Sequence, residues 1–153
     1  MTTVVVYYRT GYRHQLAENY ELRAGIFPIE PGGNDWVQLS ADGHLKISKG
    51  YAWDGASGPA INTPSFVRPS LVHDAYCQLW NLGVITDAGR AAADRMLGDM
   101  LRADLITIAN RSPWPARWFL KSLAVVRPVW VRAAVSWYSG VAKPTPEQIL
   151  TAP

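Results

Sequence analysis

Trp36-Val37-Gln38-Leu39-Ser40-Ala41-Asp42-Gly43-His44-Leu45-Lys46-Ile47 is the stretch whose reading decides the fold. Val37 and Leu39 alternate with polar neighbours, Asp42-Gly43 supplies a turn, and Leu45 and Ile47 resume the alternation. This is the pattern of a β-hairpin with one buried face. Upstream, β-rich runs at Thr3 to Tyr8 and Tyr20 to Ile26 extend the strand reading. The segment Ile29 to Asn34, with Pro31, Gly32 and Gly33, reads as a connecting loop. Downstream, Gly50 to Pro69 is rich in glycine and proline and reads as irregular but ordered chain, the kind of loop that often carries function.

Beyond that loop the apolar period changes from two to about 3.6. Pro69 suits a first helical turn, Leu71, Val72, Ala75, Tyr76 and Leu79 form an apolar stripe, and Gly83 suits a C-terminal cap. A second helix is predicted from Thr86 or Asp87, either able to cap it, to about Ala103. A third helical region is predicted from roughly Pro115 to Tyr138, kinked or split at Pro128. Residues 143–153 read as a loose tail. The fold class is therefore α+β: a small N-terminal antiparallel β-sheet with a hairpin, then a helical C-terminal half, with residues 1–142 as a single domain.

Of the 153 residues 48% are hydrophobic, enough for a core, and the single cysteine, Cys77, cannot form an internal disulfide, so packing must carry the fold. The opening run, Met1 to Arg9, lacks the basic start and small-residue cleavage site of a signal peptide, and its apolar stretch is too short to span a bilayer. Cytoplasmic synthesis is the expectation. The net charge of +3 is unevenly spread: no acidic residue lies between Asp104 and Glu147, whereas Arg111, Arg117, Lys121, Arg127, Arg132 and Lys143 all do. This third of the chain is a candidate surface for phospholipid headgroups, nucleic acid or an acidic protein, or else a solvated basic face. The low net charge and the lack of a groove-reading motif put nucleic acid behind the others.

The residues that carry chemistry cluster after the glycine-rich loop. His73 shares one side of its helix with Tyr76, Cys77 and Trp80, while Asp74 points about 100° away. On the second helix Asp94 lies on the face of Ala91, Leu97 and Leu101, which aims a carboxylate at an apolar interior and requires a partner. A short connection makes the two helices antiparallel neighbours. Asp94 can then hold one tautomer of His73, leaving the other nitrogen as general base for a water, with Tyr76 placed to hydrogen-bond the same carboxylate. Asp74, directed at the loop, would bind a hard cation such as calcium with backbone carbonyls around Gly55 and Gly58. The bland reading stands beside it: a buried polar pair that fixes packing, Asp94 bridged to Arg90 or Arg68, Asp54 capping the Gly55 turn, and Trp53 and Trp80 as core aromatics. Cys77 and His73 can touch at i, i+4, but nothing suggests an oxyanion arrangement for cysteine-protease chemistry.

The run Tyr51-Ala52-Trp53-Asp54-Gly55-Ala56-Ser57-Gly58-Pro59, then Ser70-Leu71-Val72-His73-Asp74-Ala75-Tyr76, then Arg90 and Ala93-Asp94, resembles an uncharacterised protein family of tailed bacteriophages and prophages. That family's pattern is Y-x-W-D-G-x-S-G-P, S-L-V-H-D-A-x-Y and R-x-x-A-D, and the likeness spans Tyr20 to Leu101. It implies a phage origin, made in the host cytoplasm and virion-associated, and no settled activity. A weaker likeness is to calcium-dependent phospholipases with a His-Asp helix. It implies His73 as base, Asp74 as ion ligand beside the Gly55 to Gly58 loop, and Asp94 as orienting carboxylate 94 − 73 = 21 residues on. The tyrosine stands one position early, at Tyr76, with Cys77 at the expected place.

In the third helical region Arg117, Lys121 and Arg132 fall within an arc of about 60°. Trp114, Trp118, Trp130, Trp137 and Tyr138 flank them. Basic and indole side chains together suit a membrane interface and equally a protein interface. Two functional readings follow. One is a phage-encoded, metal-assisted hydrolase of phospholipid or another cell-envelope ester or amide, with His73, Asp94 and Tyr76 as catalytic residues, Asp74, Gly55 and Gly58 at the metal, and Trp53, Asp54 and Ser57 in the adjoining loop. The other is a non-catalytic virion or accessory protein that docks on membrane lipid or on other phage proteins through Arg117, Lys121, Arg132 and Trp118. A His73 sealed by internal hydrogen bonds would count against the first.

Overall fold

The computed structural model describes residues 8–9, 14–55 and 64–141 and shows an α+β fold. Among the described residues, seven short strands, β1 (Tyr8–Arg9), β2 (His14–Leu16), β3 (Tyr20–Arg23), β4 (Gly32–Gly33), β5 (Val37–Leu39), β6 (His44–Ile47) and β7 (Ala52–Trp53), precede three helices, α1 (Pro64–Asn81), α2 (Asp87–Arg111) and α3 (Trp114–Val141). The strands form two antiparallel sheets, ordered β1-β2-β7 and β3-β6-β5-β4. The Thr3 to Tyr8 run falls outside the described residues apart from Tyr8, as does the tail at 143–153.

The hairpin forms as its alternation requires. Val37 pairs with Ile47 and Leu39 with Leu45, so all four side chains point into the core, and a one-residue slip would expose every one of them. Gly43 donates its N–H to the Ser40 carbonyl at 2.9 Å with φ of 74°, a left-handed conformation that glycine adopts without a Cβ penalty. The connecting loop expected at Ile29 to Asn34 is in part a strand: Gly32 and Gly33 pair with Leu39 and Gln38 as an edge. The side-chain oxygen of Asn34 accepts from the N–H groups of Trp36 and Val37, both at 2.9 Å, and so turns the chain back on itself. Only a glycine fits at position 33, since a Cβ there would stand 2.0 Å from the Val37 carbonyl oxygen.

Helix α1 starts at Pro64, not Pro69. Phe66 and Val67 prolong the buried stripe of Leu71, Val72, Ala75, Tyr76 and Leu79 toward the N-terminus. Pro64 takes the first-turn position, and Pro69, inside the helix, brings no N–H to its hydrogen-bond ladder. Gly83 ends the helix as expected. Its N–H reaches the Trp80 carbonyl at 2.9 Å and that of Val84 reaches Leu79 at 2.9 Å, the paired bonds of a Schellman cap, with Gly83 at φ 73°.

Thr86 caps α2 by accepting from Gly89 N at 3.1 Å. The helix then runs past Ala103 to Arg111, because Leu105 and Ala109 continue its buried face against α3. Helix α3 runs through Pro128 without splitting. The core has two parts. One lies among the strands, α1 and the first half of α2; the other joins Phe66 of α1, Leu97, Leu101 and Leu105 of α2, and Ala124 and Val131 of α3. No helix among the described residues is long and apolar enough to cross a membrane.

Candidate functional site: a buried His-Asp-Arg cluster and an exposed helix face

The side-chain pairs Trp80 to Asp87, His73 to Asp94 and Arg68 to Asp104 run in opposite order along α1 and α2, so the helices are antiparallel. That arrangement brings the sequence-predicted pair together: His73 Nε2 lies 2.8 Å from Asp94 Oδ1. The guanidinium of Arg90, one turn before Asp94 on α2, donates to the same carboxylate oxygen and stands 3.1 Å from His73 Nε2. Arg90 can only donate, so it and a protonated Nε2 share Asp94 as acceptor. On the other side of the ring Nδ1 lies 3.4 Å from Asp74 Oδ1 and 3.6 Å from Cys77 Sγ. Asp94 is thus the closer partner of the histidine, while Asp74 occupies the opposite side of the ring.

The electrostatics follow from this enclosure. Burial pulls the His73 pKa down, but Cys77, Asp74 and Asp94 outweigh it and hold the imidazole well above its usual value. Burial acts upward on Asp94, yet the hydrogen bond from His73 and the charge of Arg90 bring its carboxyl below the usual range. Asp74 goes the other way: burial raises it, helped by the nearby charge of Asp54, and His73 only partly compensates. Tyr51, from the chain just before β7, is pushed well up by burial and by the charges of Asp74 and Cys77.

Tyr76 does not join the cluster as expected. Its hydroxyl is buried with no hydrogen-bond partner among the described residues, so it makes no bond to Asp94. Position 76 belongs to the apolar stripe, which turns the ring into the core, and burial raises its pKa. The residue at His+4 that does face the imidazole is Cys77.

Trp53 is a core aromatic. Its indole Nε1–H donates to Ser70 Oγ at 3.0 Å, and Ser70 donates to the Val67 carbonyl at 3.0 Å. His14 and Tyr51 stack near the same ring. This bond ties the W-D-G run to the S-L-V-H-D run. Asp54 is exposed and Gly55 is buried with φ of 70°, while Ser57 and Gly58 lie outside the described residues. Sequence reasoning missed Tyr51, whose place depends on an irregular connection that has no period to read, and gave Ser70 no role. Arg90 was legible only as the i−4 neighbour of Asp94.

The second feature is α3. Leu120, Ala124, Pro128 and Val131 fall on one side of the helix and pack inward. Trp114, Trp118, Phe119, Val125, Val126, Val129 and Trp130 are all exposed, with Trp114 at 73%, Trp118 at 68% and Val129 at 71%. At 100° per residue these seven span an arc of about 160° centred opposite the packed side. The helix is therefore apolar on both faces, and among the described residues only one of them is covered. Lys121 is exposed about 20° beyond one edge of that arc and Arg117 about 60° beyond it, where its Nη2 donates to the Asn110 carbonyl at 3.4 Å, while Arg132 falls on the edge itself, its side chain outside those described. Arg127, on the opposite edge, is half-buried with its guanidinium 6.0 Å from the centre of the Phe66 ring, and burial lowers its pKa.

Compared with protein-family models, curated proteins and solved structures, the chain finds no match.

Proposed function

We propose that this protein is a non-catalytic accessory protein that docks on an anionic membrane surface through α3. One observation carries the reading: a 28-residue helix presents seven large apolar side chains to solvent on the face opposite the one it packs. Exposed apolar surface of this extent marks an interaction site. The chemistry of the rim favours a lipid partner. Three tryptophans of the face, Trp114, Trp118 and Trp130, suit the headgroup level. Lys121 stands beside its edge to meet phosphates, and no carboxylate between Asp104 and Glu147 opposes an anionic surface. A virion or prophage accessory role fits such a module.

The test is co-sedimentation with sucrose-loaded vesicles. The protein should pellet with phosphatidylcholine vesicles that contain phosphatidylglycerol, bind less in high salt, and bind weakly to phosphatidylcholine alone. Equal recovery in the supernatant with and without anionic vesicles overturns the reading. The hydrolytic reading has one observation in its favour, the 2.8 Å contact between His73 and Asp94. Against it, both ring nitrogens face protein groups and the imidazole is buried. Calcium-dependent hydrolysis of mixed phospholipid vesicles that is lost in His73→Ala would reinstate it.

A further inference from the structure

His73, Asp74 and Cys77 present three ligand atoms of different chemistry within 4.8 Å of one another on one turn and a half of α1. From these we infer a binding site for a borderline divalent transition metal of the zinc class, independent of the docking face. The donor set decides the class. An imidazole nitrogen, a thiolate and a single carboxylate match zinc or cobalt, whereas calcium takes six to eight oxygens.

Two of the three ligand separations fit as well, and the third pair, the Asp74 oxygen and the Cys77 sulfur, lies within 4.8 Å. Tetrahedral zinc with bonds of about 2.0 to 2.3 Å needs about 3.4 Å between a nitrogen and an oxygen ligand and about 3.6 Å between a nitrogen and a sulfur. The observed separations are 3.4 Å from His73 Nδ1 to Asp74 Oδ1 and 3.6 Å from Nδ1 to Cys77 Sγ. The sulfur is also 3.9 Å from Nε2, so it lies alongside the ring, and binding would draw it toward the Nδ1 edge.

A second feature of the geometry points the same way. With Asp94 accepting from Nε2–H at 2.8 Å, the neutral imidazole presents its Nδ1 lone pair on the side of Asp74 and Cys77. A carboxylate that holds the far nitrogen of a ligating histidine is the usual outer support of a metal site. Here it is anchored from a second helix by Arg90. Three protein donors leave further coordination to water or a small ligand.

The experiment uses the reduced, chelator-stripped chain titrated with cobalt(II). Wild type should take up one equivalent and develop a thiolate-to-cobalt charge-transfer absorption that zinc(II) abolishes by displacement. Cys77→Ser should lose that absorption. Asp94→Asn, which removes no ligand, should keep it while weakening affinity by about 10- to 100-fold. Because Cys77 is the only cysteine, its reaction with a thiol reagent gives a second readout on unaltered protein. Stoichiometric zinc(II) should slow it at least tenfold, and calcium should not. Absence of the charge-transfer band in wild type, unchanged thiol reactivity with zinc(II), or cobalt binding that survives both Cys77→Ser and His73→Gln would each overturn the site.

Discussion

Replacing Asp94 by alanine should be among the most destabilising single changes in this protein. Its carboxylate is 12% exposed and holds two cationic or proton-bearing groups, Arg90 at 12% and His73 at 8%. Removing the shared acceptor takes away the carboxylate that the guanidinium and the imidazole, 3.1 Å apart, both contact. Breaking a buried pair in this way costs about 3 to 5 kcal/mol, out of a total stability of about 5 to 15 kcal/mol for a domain. At roughly 2 to 4 °C per kcal/mol for a chain of this size, the midpoint should fall by about 6 to 20 °C. Asp94→Asn keeps an oxygen in place and should cost less than the alanine. The assay is thermal and urea unfolding by circular dichroism, in chelator so that no bound ion contributes. An alanine variant within about 0.5 kcal/mol of wild type would refute the claim that this cluster fastens α1 to α2.

Other consequences concern the frame around that cluster. Arg68 and Asp104 form a two-pronged bridge, Nε to Oδ2 at 3.1 Å and Nη2 to Oδ1 at 2.5 Å, with both side chains largely buried. Asp104→Ala should therefore cost about 3 kcal/mol or more, whereas the double change Arg68→Met with Asp104→Leu should be close to neutral; a urea double-mutant cycle reads the difference, and equal costs would contradict it. Gly33→Ala forces a Cβ to 2.0 Å from the Val37 carbonyl at a φ of 147°, so a loss of roughly 2 to 4 kcal/mol is expected in thermal melts. Gly25→Ala, at φ 68° with nothing within 4 Å, should lose only about 1 to 2 kcal/mol, and a reversed order would count against the β4 edge. In chelator, the raised pKa of His73 means the folded state favours its protonated form. Its stabilising contribution is then complete below about pH 6.5 and is lost as pH rises through the folded value. The stability difference between wild type and His73→Gln should shrink from about pH 6.5 upward, and a difference that grows would contradict the sign.

The fold was legible wherever burial enforces a strict period. Val37, Leu39, Leu45 and Ile47 announced the hairpin, and Leu71 to Leu79 the first helix, because a shift in either would expose the whole set. Gly83 and Thr86 were legible as caps because their chemistry is local. What escaped was set by contacts between distant segments. Gly32 and Gly33 carry no strand propensity and pair only because β5 and the Asn34 turn lie alongside. Pro69 looked like a start because its ring disfavours helix interiors, yet Phe66 and Val67 extend the buried stripe past it. Leu105 and Ala109 read as helix only once α3 provides a surface to cover. At the site, the pairing of His73 with Asp94 over Asp74 followed from helix faces. The inward turn of Tyr76 did not, since a phenol on an apolar stripe reads equally as core or as hydrogen-bond donor.

The docking reading turns on whether the exposed side of α3 is meant to be covered by lipid. Val129 stands near the middle of that face and is 71% exposed, so Val129→Glu should leave the unfolding midpoint within about 0.5 kcal/mol of wild type. On vesicles containing phosphatidylglycerol it removes most of a buried valine, about 1 to 2 kcal/mol, and adds a charge repelled by about 1 kcal/mol. Binding measured by co-sedimentation should therefore weaken about 30-fold or more, with the protein monomeric throughout. Undiminished vesicle binding by Val129→Glu, or a wild-type dimer that this substitution dissociates, would contradict a lipid-facing helix.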